Sequence, residues 1–426
     1  MASIAPAATQ AARGDGTPIS HKNRNIDKAW IRRLWIDFER DDDFDEHAEY
    51  DDDDVDGAMV LLDVAELRLD NHTASIAHLT DLRDHVWFER SRVPLTKLEI
   101  YKVLFTQEKT DLITDVLKSQ NCQIRELALD SCRAKSEKMG QVFAALSQNK
   151  SILSLSMENM NIPLKSLDQF VDVLRHNETM YILTLQNTGL TDDAMRKMAE
   201  GLQANRTLVY MDLRRNTYEK EGLAALLHSL KGNDSLMTLR LNTLQITQQG
   251  AKNFQMLFSD PQCQIQNLEM EELEVAEDGS CMVIDSITGL RKLYTFDFSN
   301  NVIPSQLAQS IVAMVDKYTM LEILCLDHCE ISDKIFRYIF QSINNRELIF
   351  LNISWNQLSG DTIDEVVRVL TNNPNLKKLA MQHNRFGEVD LSEFANVLAA
   401  HRELEYLDIT HNNIGNTQFN VLFPAV

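Results

Sequence analysis

The stretch Ala204–Asn216, ANRTLVYMDLRRN, admits two readings. Asn205-Arg206-Thr207 is the acceptor triplet for N-linked sugar on a secreted chain. Leu208, Met211 and Leu213, spaced L-x-x-L-x-L with Asn216 three residues on, instead describe one short strand running into a turn. The second pattern recurs. Taking the place of Met211 as a marker, it falls at Leu98, Leu127, Leu155, Leu183, Met211, Leu239, Leu268, Phe296, Leu324, Leu351, Leu379 and Leu407, in steps of 27 to 29 residues. All twelve units carry apolar residues at the marker, three before it and two after it, a regularity that a 44% apolar chain does not reach by chance.

The marker and the residue two beyond it share one face of a strand, so they bury together while the residue between points away. A helical rhythm separates the strands, as in Met195, Met198 and Leu202 or Leu391, Phe394 and Leu398. A unit of one strand and one helix cannot bury its apolar side alone; stacking many makes one continuous core, curved because helices are wider than strands. The pattern resembles leucine-rich repeat proteins of the ribonuclease-inhibitor type, with 28-residue units over Val93 to Val426 and an irregular earlier one around Leu67 and Leu69. That resemblance implies an α/β fold, a horseshoe-shaped solenoid of 12 to 13 repeats with a parallel concave sheet and convex helices. It also implies Asn or Cys five residues after the marker, bonding the adjacent turn. Asn216, Asn301, Asn356, Asn384, Asn412, Cys132 and Cys329 stand there, whereas Val103, Met160, Thr188, Leu244 and Leu273 depart.

Six residues before the marker stand Asn121, Asn149, Asn177, Asn205, Asn233, Asn345 and Asn373. Asn tolerates the left-handed backbone that ends helices, which gives the repeat its own reason for them. The triplets at Asn149, Asn177, Asn205 and Asn233 are therefore expected to carry no sugar.

A net charge of -21 argues against nucleic acid or an anionic membrane as partner and for a protein with a basic surface, within a larger assembly. Six cysteines form no C-x-x-C pair and no dense framework, which fits a reducing compartment. Residues 1–24 are expected to be a disordered tail in a cytoplasmic protein, in a cytoskeletal or ciliary setting, with a mitochondrial presequence as the alternative. Residues 25–58 hold an amphipathic helix, with Trp30, Leu34, Trp35 and Phe38 on one face, followed by an acidic linker. From Asp37 to Asp56 there are 13 acids and one Arg, a charge of -12 that leaves -9 of the -21 for the rest. The helix either caps the solenoid or docks on a partner. Residues 59–92 are read as an N-terminal cap or irregular repeat ahead of the repeat domain, 93–426. Asp52, Asp54, Asp56, Gly57 and Asp63 follow the spacing of a calcium loop but lack its closing Glu and a good entering helix.

No phosphate-binding Gly loop, nucleophile elbow, zinc spacing or kinase signature is present, so the expectation is a non-catalytic scaffold with no cofactor and no metal. Cys325 and Cys329 beside His328 lie on opposite faces of a strand and its turn, which speaks against a shared metal. One enzymatic alternative is a GTPase activator resembling the Ran GTPase-activating protein, with Arg133 on a comparable loop, although the acidic C-terminal tail of that family is missing. A bacterial effector mimicking the eukaryotic repeat is another. The marker minus one, plus one and plus three positions line the concave face, where ten acids face Lys97, Arg214, Arg240 and Lys378. The partner-binding residues expected there are Ile182, Tyr210, Asp212, Arg240, Glu269, Glu271, Asp297, Ile323, Asp327, Phe350 and Tyr406. Ile182 beside Tyr210 and Ile323 beside Phe350 are the expected anchors, with the carboxylates steering a basic protein. Tropomodulin-like actin regulators and repeat proteins of cilia and flagella are similar in joining such a solenoid to a short N-terminal attachment.

Overall fold

The computed structural model describes residues 66–70, 74–87, 94–275, 277–341, 343, 347–387 and 389–422. The expected N-terminal helix with Trp30, Leu34, Trp35 and Phe38, the acidic linker and the calcium-like loop lie outside the described residues. One sheet of thirteen strands runs in strict chain order. The strands are β1 (Glu66–Leu69), β2 (Lys97–Tyr101), β3 (Glu126–Asp130), β4 (Ser154–Glu158), β5 (Ile182–Thr184), β6 (Tyr210–Asp212) and β7 (Thr238–Ile246). They continue as β8 (Asn267–Val275), β9 (Thr295–Asp297), β10 (Ile323–Cys325), β11 (Phe350–Asn352), β12 (Lys378–Ala380) and β13 (Tyr406–Asp408). Every pairing is parallel, and each marker sits opposite the next one, from Leu98↔Leu127 through Met211↔Leu239 to Leu379↔Leu407. A helix follows each strand, as at Asp192–Leu202 and Ser392–Ala400, so the fold is an open, curved leucine-rich repeat solenoid of thirteen repeats.

The core lies between sheet and helices. Markers and their plus-two partners are fully buried from Leu98 and Ile100 to Leu379 and Met381, each side chain contributing on the order of 1.5–3 kcal/mol. Met195, Met198 and Leu202 bury against them from the helical side. The last unit differs, since Leu407 and Ile409 pack on the core but are only partly buried at the sheet's edge.

Two polar ladders close the ends of the strands. Asn356 donates from Nδ2 to Leu326 O and Ile353 O, and its Oδ1 accepts the Cys329 and Ile331 amides at 3.1 and 2.9 Å. Asn216, Asn301, Asn384 and Asn412 repeat the arrangement, and Cys132 and Cys329 donate their thiols to Ile100 O and Phe298 O. In the units that carry Leu244 and Leu273 at this place the strands are longer, β7 and β8 running nine residues each, and the Leu273 amide donates to Asn301 Oδ1 at 2.7 Å.

The second ladder corrects a sequence expectation. Asn149 and Asn177 have φ of -69° and -76°, in extended rather than left-handed backbone. Their side chains explain them. Asn205 Oδ1 accepts the Thr207 and Leu208 amides at 3.0 and 2.9 Å while Nδ2 donates to Leu174 O at 2.6 Å, tying the turn to the preceding repeat. Ser151 and Thr179 donate their hydroxyls to Asn149 and Asn177, so the hydroxyl of the triplet belongs to the same turn. All four acceptor Asn side chains are buried.

Candidate functional site

Strand spacing brings the concave residues of successive repeats into contact although they stand about 28 positions apart in sequence. At β6–β8 this assembles a charged knot. Arg240 donates from Nη2 to Glu269 Oε1 at 2.8 Å and from Nη1 to the Tyr210 hydroxyl at 2.9 Å, with Asp212 Oδ2 at 3.3 Å. Arg214 grips Asp212 through Nε and Nη2 at 3.1 and 3.0 Å and reaches Glu269 and Glu271 with Nη1 at 3.2 and 3.1 Å. Beside it, Ser299 places its hydroxyl between Asp297 and Asp327, and Asn352 donates to Asp327 at 2.9 Å.

The knot carries five carboxyl groups, Asp212, Glu269, Glu271, Asp297 and Asp327, against two guanidinium groups. Burial pushes Asp212 upward, but Arg240 and Arg214 outweigh it and hold the carboxyl below its ordinary range. Glu271 meets one of those cations, Arg214 at 3.1 Å. Burial, reinforced by Glu269, pushes Glu271 up to about 7, against the pull of Arg214 and Arg240. Burial and the fields of Glu269, Glu271 and Asp327 raise Asp297 well above the carboxylate range. The Ser299 hydroxyl has one proton to offer two carboxyl oxygens, which fits a proton held within the group. Glu269, Glu271 and Asp297 have ligand atoms within 4.8 Å of one another, yet the first two are already engaged by guanidinium, so the geometry describes an internally paired cluster more than a metal cage.

The expected neighbours do meet: Ile182 pairs with Tyr210 and Ile323 with Phe350. Their accessibility differs from the sequence reading, for these four side chains are 3 to 7% exposed. Residues stacked along the row cover one another, so truncating them removes packing. Asp212, Arg240, Glu269 and Asp297 are likewise buried, Glu271 and Asp327 are half-buried, and Tyr406 at the last strand is exposed. Cys325 sits buried on the concave face and Cys329 in the turn ladder, which leaves no shared site between them. Arg133 is exposed on the turn after β3.

Sequence reasoning missed the residues at the marker plus four. There the backbone is left-handed in Lys102, Ser131, Asn159, Asn187, Arg215, Glu272, Asn300, His328, Trp355, His383 and His411. In most of them the amide bonds the carbonyl one repeat ahead, as Trp355 N does with Gln382 O at 2.9 Å. The signal was the ring-bearing residue type at that position in the last four units.

A leucine-rich repeat family profile matches residues 401–417. No curated protein matches the chain. Actin-binding site 2 of leiomodin-1 is similar at 18% identity and TM-score 0.30, over 36% of this chain and 87% of that one. TLR13 in its complex with ssRNA13 is similar at 16% identity and TM-score 0.42, over 77% of this chain and 41% of its own. The plant peptide hormone receptor RGFR1 with RGF2 is similar at 12% and 0.33, over 78% and 61%. Among the described residues no helix is long and apolar enough to cross a membrane. Twelve in-phase units and thirteen parallel strands in marker register give the chain a leucine-rich repeat architecture, and the family profile falls on its last complete strand and turn.

Proposed function

We propose that the solenoid is a non-catalytic protein-interaction scaffold whose concave face receives a basic segment of a partner. The observation that carries this reading is the surplus of carboxyl over guanidinium groups in the knot around Glu269, Glu271, Asp297 and Asp327. Such a field raises the encounter rate with a cationic surface. Glu271, Asp327 and Tyr406, the accessible members of the expected set, make the contact; Ile182, Tyr210, Ile323 and Phe350 hold the row beneath it. The ribonuclease-inhibitor subtype and a place in a cytoskeletal or ciliary assembly are the finer parts of this reading, supported by the 28-residue period and the N-terminal attachment. The alternative as a GTPase activator has the exposed Arg133 in its favour, and that residue is tested below.

The experiment is a pull-down from the native source with mass spectrometry, followed by binding kinetics of the purified partner. Exchanging Glu271 and Asp327 for their amides should slow association and flatten its dependence on salt. Unchanged rates with a folded variant would move the working surface to the convex helices or the N-terminal segment.

A further inference from the structure

Four consecutive repeats carry rings at the marker plus four, where each strand turns outward. His328 stacks on Trp355 with centroids 4.7 Å apart, Trp355 on His383 at 3.5 Å and His383 on His411 at 4.0 Å, all within 16° of parallel. Their φ values are 52°, 54°, 52° and 55°. Asn and His tolerate this left-handed region better than a bulky residue does, so Trp355 is held at some cost. Trp355 is 45% exposed. The ring faces meet one another while their edges meet solvent.

We propose that this ladder is a pH-sensitive clasp on the four C-terminal repeats, closed while its imidazoles are neutral and loosened when mild acid protonates them. Imidazole is the side chain that ionises in that range. Protons on both His383 and His411 would put like charges on two rings in face-to-face contact. The acids facing the ladder are Asp327, whose Oδ2 lies 3.4 Å from His328 Nδ1, and Asp408 on β13. Reduced contact with solvent, then the field of His411, hold His383 below the usual imidazole range, with Asp408 opposing and His328 adding to the effect. The folded state therefore prefers the neutral ring, and its contribution is present above the unfolded value and lost as pH falls from there through the folded one. Such a clasp acts where it matters most, because it joins β12 to β13, whose Leu407 and Ile409 are the incompletely buried end of the core.

The test compares the full chain with its His383→Phe/His411→Phe variant, which keeps the rings and removes their charge. Hydrogen exchange of segments within 378–422, corrected for intrinsic rates, is measured at pH 7.5 and 5.5. The natural protein should lose protection relative to the variant on acidification, by about tenfold for each pH unit separating the folded and unfolded ionisation of His383. Equal losses in both proteins would overturn the clasp. Should the variant not fold, titration of the histidine ring signals in the natural protein decides: His383 ionising below about 6.5 supports the clasp, and at or above that value it refutes it.

Discussion

The central repeats at β6–β9 and the C-terminal repeats at β10–β13 share one backbone plan and specialise in opposite ways. In the centre, concave positions are occupied by charges that bury and pair, as Arg240 does with Glu269 and Asp212. Toward the C-terminus the turn positions carry rings that stack at the surface, from His328 to His411. The difference teaches that the repeat fixes where side chains meet without fixing what they exchange. Their pH responses are opposed as well: Glu271 and Asp297 favour their protonated forms in the folded chain, His383 its neutral form.

The largest expected effect breaks the central knot. Arg240→Ala removes one of the two guanidinium groups that hold Glu269 and Asp212, together with the donor to the Tyr210 hydroxyl, leaving the five carboxyl groups of the knot to Arg214, and should cost about 3–5 kcal/mol in chemical denaturation. Pairing it with Glu269→Leu should recover much of that loss, since one of the carboxyl groups left to Arg214 goes too. A single-variant loss below about 1 kcal/mol would show that the knot contributes little to stability.

The comparison sharpens with two aromatic truncations. Phe350→Ala empties a buried place on the concave row and should cost about 3 kcal/mol. Trp355→Ala removes an exposed stacked ring and should cost about 1 kcal/mol at pH 7.5. The reverse order would mean that the ladder, and not the row, secures these repeats.

Asn205→Ala tests what both regions share. Losing its three bonds leaves two amides and a carbonyl unsatisfied, for about 1–3 kcal/mol. The same burial predicts an intact mass equal to the bare polypeptide when the protein is taken from its own source; a shift removed by glycosidase would contradict the Asn assignment at all four triplets.

A smaller change separates the two pH responses. Because the folded pKa of Glu271 is raised to about 7, its stabilising contribution is present below the unfolded carboxylate value and lost as pH rises through 7. Glu271→Gln should thus be more stable than the natural protein at pH 8, by on the order of 1–2 kcal/mol, and nearly equal to it at pH 4.5. Equal stability of the two proteins across this range would remove the held proton from the account.

The smallest expected effect is at Arg133, which lies in neither region. Arg133→Ala should leave melting unchanged, and the natural protein should not accelerate single-turnover hydrolysis by a panel of small GTPases. Acceleration abolished by that substitution would replace the scaffold with an enzyme activator.

The period of the chain by itself determined the stack of 12 to 13 repeats and the marker register, because burial along one face of a strand is a one-dimensional pattern, while the bonding role of the Asn five residues beyond came from the resemblance to the repeat family. It also located the acidic row. What it misjudged was a matter of contact: Asn149 and Asn177 as left-handed residues. Asn205 is explained by amides two and three residues on and a carbonyl 31 residues back, a bond that spacing alone does not reveal. The burial of Tyr210 depends on Arg240 and the neighbouring rows, and the stacking of Trp355 on His383 depends on two rings one repeat apart adopting parallel planes. Periodicity places such residues side by side; side-chain volume, rotamer and charge, acting only after the sheet has formed, decide whether they bury, pair or remain at the surface.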